Sequence, residues 1–545
     1  MLDHSMDDTF DRRRFLRGAG HLAVAAGLEG VVATVAGCSP THRSAAPPTT
    51  SGSSTTAAAP KTTTTTAEAG PIDWSGLSQT LTGQLVLPTS SGYATARQEF
   101  NPRFDTVAPV AIAYCQSADD IARCVAFARQ HEVTPIPRSG GHSYAGWSTG
   151  TGLVVDVSAM NRVVIDQAAG TVTVGAGTKL VDLYTTLAGA GLALPGGSCP
   201  TVGIAGLTLG GGHGVIDRKY GLTCDALTGL ELVTADSRTL TCDPATNSDL
   251  WWASRGGGGG SFAIASSFTF SPHPIGPIAL FTLEWPWAAA GDVVDAWLSW
   301  GQNVPDELWA NCQLGATSGG GTPQVKVTGV YLGTPNDLST RLAPLSNAVG
   351  TALTDRFVGA EPYLRAMFIE AGCVNDTEAQ SHVAAPGTSG VLTRSPFAAK
   401  SDFLTTPLPA SGVQAVISAV EERQASTIPG GGAIVLDLFG GAINQVAAAD
   451  SGFVHRNCDF LMQYTASWDN GASAGVVDGS VAWLRQAWAS LRPSVSGQAY
   501  QNYADPDLVD WQQAYYGSNL ARLSTVKSTY DADNVFHFPQ SIPLP

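Results

Sequence analysis

Two glycine-rich segments in the amino-terminal half limit most strongly how this chain can fold. The chain has 61 glycines among its 545 residues, and many of them cluster in Arg138–Ser148 and Gly196–Gly214. Glycine reaches backbone conformations that other residues avoid, and it lets a backbone approach a ligand closely. The second segment contains too many glycines to favour a helix or a strand. The two segments therefore predict loops that wrap a flat or charged ligand, such as a dinucleotide.

The first segment places His142 in a tight glycine turn just before a strand-like stretch. Such a turn exposes backbone amides that can hold a phosphate group. Alone, it would fit a structural turn with an incidental histidine, but the second segment favours a ligand. A classical dinucleotide-binding fold is the competing interpretation. It is disfavoured because no GxGxxG stands between a hydrophobic strand and a helix with an acidic residue about 20 positions on.

Length and composition define the broad class of protein. A chain of 545 residues is too long for one hydrophobic core and predicts two or more packed regions. With 44% hydrophobic and 14% charged residues, it is globular rather than globally disordered. The net charge of −16 argues against general binding to nucleic acid or to an anionic membrane. The expected partner is a small molecule.

The amino terminus differs from the rest of the chain. Arg12-Arg13 precedes Phe15-Leu16-Arg17 and a weakly apolar run, a pattern similar to bacterial twin-arginine export signals. The alternative is a short internal helix, and Glu29 within the apolar run argues against a retained membrane helix. We therefore expect residues 1–37 to be an export signal.

A possible lipid anchor follows the signal. Val35-Ala36-Gly37-Cys38 resembles a lipobox, which would lipidate Cys38 after cleavage. Residues 39–70 are rich in Ser, Thr, Ala and Pro and have no Val, Leu, Ile, Met or aromatic residue. Such a segment has nothing to bury. We expect residues 38–75 to form a tether, and the protein to be a cell-surface lipoprotein or a secreted protein.

Hydrophobic periodicity predicts mixed α and β structure after the tether. Ser117 and Asp120 have capping-box spacing at the start of a helix over 117–129, and a second helix would bury Leu180, Leu183, Tyr184 and Leu187. Residues 153–157, 171–174, 324–327 and 460–464 read as strands, and a later helix aligns Leu484, Ala487, Trp488 and Leu491. The region from about 273 to 493 reads as a second α+β domain.

The glycine-rich segments, together with Asp249–Arg255 and the glycines up to Gly260, resemble the berberine bridge enzyme-like group of FAD-linked oxidases. The tail is also similar, through Tyr500–Asp505 and Gln540–Pro543. The resemblance implies an α+β, two-domain PCMH-type FAD-binding fold of the vanillyl-alcohol oxidase type, with a substrate domain inserted over an antiparallel sheet. It assigns 76–272 and 495–545 to the FAD-binding domain and 273–494 to the substrate domain.

In this group, the histidine that matches His142 is bonded to the flavin 8α-methyl and the cysteine that matches Cys199 to ring carbon 6. The resemblance therefore implies a bicovalent FAD. A buried structural thiol is the alternative for Cys199. With Cys38 and Cys199 set aside, seven of the nine cysteines remain for possible disulfides, and at least one should be free. The other residues expected at the cofactor are Arg138, Ser139, Gly140, Gly141, Ser143, Gly197, Thr201, Val202, Gly203, Gly206, Gly210, Gly211, Gly212 and Asn502.

The resemblance also suggests which residues act on the substrate. Tyr500 is the candidate base and Tyr503 the second candidate, although either could be a packed ring with a satisfied hydroxyl. Gln463 is expected to orient the substrate or the base, with a solvated strand residue as the alternative. Two positions depart from the group: His213 replaces a frequent tyrosine and Leu207 a frequent histidine. His213 could hold a proton near neutral pH.

The predicted function is oxidation of a hydroxyl or hemiacetal of a sugar, oligosaccharide or other small metabolite, by hydride transfer to flavin N5. Val202 occupies a position that in this group flanks the ring carbon at which oxygen reacts, and its size implies access for dioxygen and release of hydrogen peroxide. A dehydrogenase that uses another acceptor is the alternative, as is a catalytically silent binding lipoprotein. No metal site is predicted.

Overall fold

The computed structural model describes residues 72–385 and 387–545. The predicted export signal, the lipobox at Cys38 and the expected tether up to Pro71 lie outside the described residues. Of the tether expected over 38–75, residues 72–75 are described, and Trp74 and Ser75 begin the helix Trp74–Thr80. Within the described part of the chain, each helix is too short or too polar to cross a membrane.

Fifteen α-helices, numbered in chain order over the described residues, are α1 (Trp74–Thr80), α2 (Tyr93–Ala96), α3 (Ala118–Gln130), α4 (Leu180–Gly189), α5 (Ile204–Leu209), α6 (Asp217–Tyr220), α7 (Ser248–Ser254), α8 (Ala290–Gly301), α9 (Pro335–Val349), α10 (Tyr363–Glu370), α11 (Ala410–Ala425), α12 (Ala442–Gln445), α13 (Ala474–Leu491), α14 (Trp511–Tyr516) and α15 (Leu520–Tyr530).

The strands of the same residues are β1 (Gln84–Val86), β2 (Ala111–Tyr114), β3 (Pro135–Arg138), β4 (Leu153–Asp156), β5 (Val163–Asp166), β6 (Thr171–Gly175), β7 (Leu192–Ala193), β8 (Leu227–Thr234), β9 (Thr239–Cys242), β10 (Ala263–Phe270), β11 (His273–Pro274), β12 (Ile278–Trp285), β13 (Leu308–Thr317), β14 (Gln324–Tyr331), β15 (Asp355–Glu361), β16 (Phe397–Leu404), β17 (Gly431–Leu438) and β18 (Phe460–Ser467).

Two sheets form the amino-terminal region. The first has the order β1-β2-β4-β3, in which β1 is antiparallel to β2 and the other pairs are parallel. The second is antiparallel with the order β5-β6-β10-β8-β9. Helix α3 contacts strands of both sheets and buries Ile121, Cys124, Val125 and Ala128 between them. The four side chains recur at helical spacing on one face of the helix predicted over 117–129.

The start of α3 shows half of the predicted capping box. Ser117 Oγ accepts a hydrogen bond from the Asp120 backbone N–H at 3.2 Å, as expected for an N-cap serine. The Asp120 carboxylate instead accepts from the N–H groups of Gln116, Thr82 and Gly83. It thereby ties the turn before β1 to the helix start rather than closing the reciprocal bond.

A seven-stranded antiparallel sheet dominates the central region, with the order β15-β12-β14-β13-β17-β18-β16. Helices α8, α11 and α13 cover one face, where Cys312, Leu436 and Met462 are buried. Side chains alternate between the faces of a strand. Asp437 and Gln463 therefore lie on the opposite face, which is turned towards the amino-terminal region.

The carboxyl tail returns to the amino-terminal region. Lys527 Nζ donates to the Ser261 carbonyl at 2.7 Å, and the Tyr530 hydroxyl donates to Asp249 Oδ1 at 2.8 Å. The backbone N–H of Ile542 donates to Ser261 Oγ at 3.2 Å. These contacts pack the tail on the amino-terminal region. The predicted mixed α+β fold with a large antiparallel sheet is confirmed.

One sequence expectation about this region is wrong. The glycine-rich segment Gly196–Gly214 contains the helix α5, although its glycine content predicts no helix. Ile204, Ala205, Thr208 and Leu209 are buried in the core, while Gly206 is exposed. Burial of one helix face outweighs the low helix propensity of glycine.

No disulfide forms among the eight described cysteines, and the prediction that at least one cysteine stays out of disulfides is confirmed for them. The Sγ atoms of Cys115 and Cys124 lie 3.9 Å apart.

Candidate active site

A cleft of about 310 Å³ opens between the amino-terminal region and the seven-stranded sheet. The two glycine-rich segments form its floor, strands β13 and β17 its roof, and the carboxyl tail one side. Several chemically capable side chains meet there: His142, Cys199, His213, Trp309, Asp437 and Tyr500.

The two glycine-rich segments touch each other through their backbones. A Cβ added to Gly140 would lie 2.3 Å from the Gly203 nitrogen, and one added to Gly203 would lie 2.4 Å from the Gly140 nitrogen. Both distances are far below van der Waals contact. Only glycine fits at these two positions, and the contact fixes the spacing of the loops.

The floor also leaves a cradle that a side chain would fill. Gly206 lines the cleft and faces open space, and a Cβ on Gly197 would lie 3.6 Å from its nearest neighbour. Arg138 is held by Asp156 at 2.6 Å, yet its Nη1 has no hydrogen-bond partner although it is buried. A glycine-lined cradle with a free guanidinium N–H suits a long, flat and anionic group, so the residues present fit FAD.

His142 is positioned at this cradle by two contacts. Its ring stacks on Phe100 with centroids 4.0 Å apart, and its Nε2 lies 2.9 Å from Thr201 Oγ1. Burial, helped by the positive charge of Lys179, lowers the pKa of His142 to about 3. The imidazole is therefore neutral at physiological pH and retains a nucleophilic nitrogen.

Cys199 lies on the same side of the floor. Its Sγ is 3.9 Å from Thr201 Oγ1, so one hydroxyl contacts both His142 and Cys199. Burial raises the pKa of the Cys199 thiol, while hydrogen bonds from Thr201 and from the Val202 N–H act in the opposite direction. The thiol is half-buried at the cleft rather than enclosed in the core, which argues against a purely structural role.

Tyr500 is held at the cleft by two donors. Its hydroxyl oxygen accepts from the Gly212 N–H at 2.9 Å and from Asn502 Nδ2 at 3.0 Å. Burial raises the pKa of Tyr500 to about 12, against the effect of these donors. The ring packs edge-on against Phe453 and Tyr503. An oxygen that already accepts two N–H bonds is suited to carry negative charge.

Tyr503, Tyr144 and Gln463 form a chain beside Tyr500. Tyr503 stacks on Tyr144 with centroids 5.2 Å apart, and Gln463 Nε2 donates to the Tyr144 hydroxyl at 3.1 Å. Gln463 is only 2% exposed, which rules out the solvated strand residue. Gln463 does not line the cleft itself; it donates a hydrogen bond to Tyr144, which does.

His213 lies between two carboxylates. Its Nδ1 is 2.5 Å from Asp217 Oδ2, and its Nε2 is 3.8 Å from Asp437 Oδ2. Burial alone would lower the pKa of His213, but Asp217 and Asp437 overcome it and raise the pKa to about 10. The ring is therefore an imidazolium at neutral pH.

Most residues expected from the sequence line the cleft, but five of them do not. Thr201 contacts His142 from behind, Gly212 supports Tyr500, and Gln463 supports Tyr144. The other two, Gly210 and Gly211, leave room for neighbours: a Cβ on Gly210 would lie 2.0 Å from Asn502 Oδ1, and Gly211 has a φ of +121°. These five act on the site through other residues.

The sequence interpretation missed four residues of the site: Tyr144, Asp217, Trp309 and Asp437. Trp309 and Asp437 come from strands far along the chain and meet His213 only in the folded protein. The available signal for Asp437 was a lone carboxylate inside the apolar run of β17, three residues before Gly440. Asp217 is the first residue of helix α6 and follows His213 by four positions, so the turn before the helix brings the two side chains together.

Comparison with protein families gives two matches. Residues 109–243 match the FAD binding domain family, and residues 499–543 match the berberine and berberine like family. An uncharacterized FAD-linked oxidoreductase of Bacillus subtilis is 31% identical over 469 residues, which cover 85% of this chain and 97% of that protein.

Solved structures give a similar result. BBE-like 1 of Physcomitrella patens is 32% identical with a TM-score of 0.78, and the alignment covers 86% of this chain and 99% of that one. Xylooligosaccharide oxidase from Myceliophthora thermophila, in complex with xylobiose, is 26% identical with a TM-score of 0.74. That alignment covers 85% of this chain and 97% of the oxidase.

Proposed function

The chain belongs to the berberine bridge enzyme-like family of FAD-linked oxidoreductases, and from this premise we propose that it oxidises a hydroxyl or hemiacetal carbon of a sugar or oligosaccharide. FAD held by the glycine-rich floor would supply the hydride acceptor, and with dioxygen as the final oxidant the product would be hydrogen peroxide.

The observation that carries this proposal is the roof of the cleft, where Trp309 lies beside the carboxylate of Asp437 and the imidazolium of His213. An aromatic face with adjacent charged hydrogen-bonding groups can bind a sugar ring and its hydroxyls. The structural similarity to an oxidase that binds xylobiose supports the same substrate class.

We assign removal of the hydroxyl proton to Tyr500. Its oxygen accepts two N–H bonds, and among the described residues nothing accepts its own proton. A phenolate needs acceptor capacity only, so this arrangement favours the ionised ring once the cleft is loaded. Tyr503 remains the second candidate for the base. Tyr144, positioned by Gln463, would hold the Tyr503 ring by stacking.

Asp437 is a further candidate for the proton acceptor, in addition to Tyr500 and Tyr503. Its Oδ2 faces His213 Nε2 at 3.8 Å, and Asp217 holds the other ring nitrogen. A proton taken by Asp437 would have a path through the His213 ring to the Asp217 carboxylate. The imidazolium would also stabilise a developing alkoxide in the cleft.

We also propose that the cofactor is bonded to both His142 and Cys199. Both line the same floor, and the neutral imidazole of His142 is competent as a nucleophile. Acid precipitation should leave the flavin with the wild-type chain, and His142→Ala and Cys199→Ala should each leave one bond. Complete release of flavin from denatured wild-type protein would disprove this attachment.

The activity itself is tested by an anaerobic screen. The purified holoenzyme is mixed with mono- and oligosaccharides and with simple alcohols, and loss of flavin absorbance is followed. We expect bleaching by a sugar and, in air, hydrogen peroxide equal to the substrate consumed. Bleaching with reoxidation only by an artificial acceptor would indicate a dehydrogenase. No bleaching by any compound would favour a binding lipoprotein.

We further propose the division into an FAD-binding domain (76–272 and 495–545) and a substrate domain (273–494), and export by the segment 1–37. All seven strands of the large sheet lie within the second range, which supports that boundary. Intact mass of the exported protein tests the anchor, because lipidation at Cys38 fixes the amino terminus there. Replacing Arg12 and Arg13 by Lys should block export.

A further inference from the structure

One hydroxyl group contacts both residues that face the cofactor from the floor. Thr201 Oγ1 lies 2.9 Å from His142 Nε2 and 3.9 Å from Cys199 Sγ. Thr201 is 4% exposed and does not line the cleft. It therefore approaches both side chains from behind, where it cannot serve as a simple wall of the cofactor site.

The hydrogen-bonding capacity of threonine sets the direction of these contacts. A hydroxyl has one proton to donate and two lone pairs that accept. The Thr201 hydroxyl lies within reach of both groups, at 2.9 Å from His142 Nε2 and 3.9 Å from Cys199 Sγ. When its one proton points towards Sγ, Oγ1 accepts from His142 Nε2–H.

In this arrangement the proton of the neutral His142 ring is on Nε2. A proton on Nε2 leaves the lone pair of a neutral imidazole on Nδ1. No described residue forms a hydrogen bond with Nδ1, while Phe100 stacks on the ring and limits its rotation. The nucleophilic nitrogen and the sulfur are thus prepared by the same side chain.

We propose that Thr201 is a positioning residue shared by the two attachment points, and that its hydroxyl couples formation of the His142 and Cys199 bonds to the flavin. The inference rests on the bicovalent attachment proposed above. It adds a residue whose loss should weaken both bonds, although it lies behind the cleft wall.

The overall chemistry of attachment balances with dioxygen as the oxidant. Each attachment replaces one C–H bond of the ring system and one N–H or S–H bond of the protein by a C–N or C–S bond. The two electrons and two protons released reduce one dioxygen to hydrogen peroxide. Thr201 is not consumed, because it accepts only a hydrogen bond from Nε2–H and donates only a hydrogen bond towards Sγ.

A purely structural role for Thr201 makes a different prediction. The backbones of Gly140 and Gly203 already hold the two segments at contact distance. Valine has nearly the shape of threonine and would keep the loops in place while removing the hydroxyl. If Thr201 only fills space, Thr201→Val should leave both attachments unchanged.

The test uses the holoenzyme as purified and counts covalent flavin by intact mass under denaturing conditions. Thr201→Val, Thr201→Ser and Thr208→Val are compared in three backgrounds: wild type, Cys199→Ala and His142→Ala. Thr208 is the matched control, since it is fully buried and its hydroxyl has no hydrogen-bond partner. Total flavin and the far-ultraviolet dichroism of each variant report on folding.

We expect Thr201→Val to reduce covalent flavin by about tenfold in both single-bond backgrounds, the change expected from loss of one well-oriented hydrogen bond. Thr201→Ser should restore it, and Thr208→Val should match the parent. An unchanged covalent fraction, or a loss in one background only, would overturn the shared role. If Thr201→Val fails to fold, Thr201→Ala replaces it with the same criteria.

The failure of the underlying attachment is read separately. Wild-type protein that carries no covalent flavin contradicts the bicovalent proposal before any variant is compared. If wild-type protein carries both bonds and Thr201→Val has the same covalent flavin fraction as its parent, only the role of Thr201 is contradicted.

Discussion

The floor and the roof of the cleft are built in different ways. The floor, Arg138–Ser148 with Gly196–Gly214, is formed largely by backbone. Its shape depends on glycines in close contact, since a Cβ added to Gly140 would lie only 2.3 Å from the Gly203 nitrogen. The roof, strands β13 and β17, presents the side chains of Trp309 and Asp437. We infer that the floor determines whether the cofactor is held and that the roof determines what reaction it performs.

The two histidines of the cleft show the same contrast in charge. Burial lowers the pKa of His142 on the floor to about 3, whereas Asp217 and Asp437 overcome burial and raise the pKa of His213 near the roof to about 10. One residue type therefore supplies a neutral nucleophile at His142 within the floor and a cation at His213, where the floor meets Asp437 of the roof. The neighbouring carboxylates account for the difference.

The largest effect is expected from a floor substitution. Gly203→Ala would place a Cβ against the Gly140 nitrogen and Ser139 Oγ, which must separate the loops. We expect loss of most bound flavin and a fall in the free energy of unfolding of roughly 1–3 kcal/mol. Flavin absorbance of the purified protein and denaturant unfolding measure both.

The matched control for Gly203→Ala is Gly291→Ala. Gly291 lies in helix α8, and its Cβ would meet nothing within 4 Å. This variant should retain its flavin and be slightly more stable, because alanine favours a helix. Normal flavin content in Gly203→Ala would show that the floor tolerates separation.

A roof or side-wall substitution should act on the reaction and spare the cofactor. Tyr500→Phe keeps the ring and removes the proton acceptor, so flavin reduction by substrate should slow on the order of 10²-fold or more with normal flavin content. Single-turnover stopped-flow absorbance measures it. Asp437→Asn is compared in parallel: a loss larger than that of Tyr500→Phe would transfer the role of base to Asp437.

The charge contrast predicts an effect of pH on stability. Because folding raises the pKa of His213 from 6.5 to about 10, its stabilising contribution is complete below about pH 6.5 and is lost as the pH rises through about 10. Its size is on the order of a few kcal/mol. Unfolding in urea at pH 6 and pH 10 should show a smaller decrease for His213→Gln than for wild type. Equal decreases would mean that His213 is neutral in the folded protein.

The smallest effect concerns dioxygen. Val202 lines the floor, and Val202→Ile adds one methylene, worth roughly 0.8 kcal/mol in burial, that could close a small apolar space. Reoxidation of the substrate-reduced enzyme should slow several-fold, which is the change in rate that corresponds to roughly 0.8 kcal/mol. Val202→Ala is the control and should not slow it. Rapid reoxidation of both variants would remove Val202 as a gate.

Regular elements were predictable wherever local pattern and burial agree. The apolar faces of α3 and α4 and the strands β14 and β18 lie where periodicity placed them. Helix α5 was not predicted, because its stability comes from packing rather than from its glycine-containing sequence. The Asp120 carboxylate bonds outside its helix for the same reason: a partner distant in sequence offered better hydrogen bonds.

The sequence by itself determined the family, the cofactor and the floor of the cleft, because backbone conformation demands glycine at fixed positions and leaves a local signature. Only the tertiary structure brought Trp309 and Asp437 to His213, moved Gln463 behind Tyr144, and set Thr201 between His142 and Cys199. A side chain on a strand carries no local record of what faces it. Charge and hydrogen bonding in the roof depend on strand register and on the approach of distant chain segments, which exist only after folding.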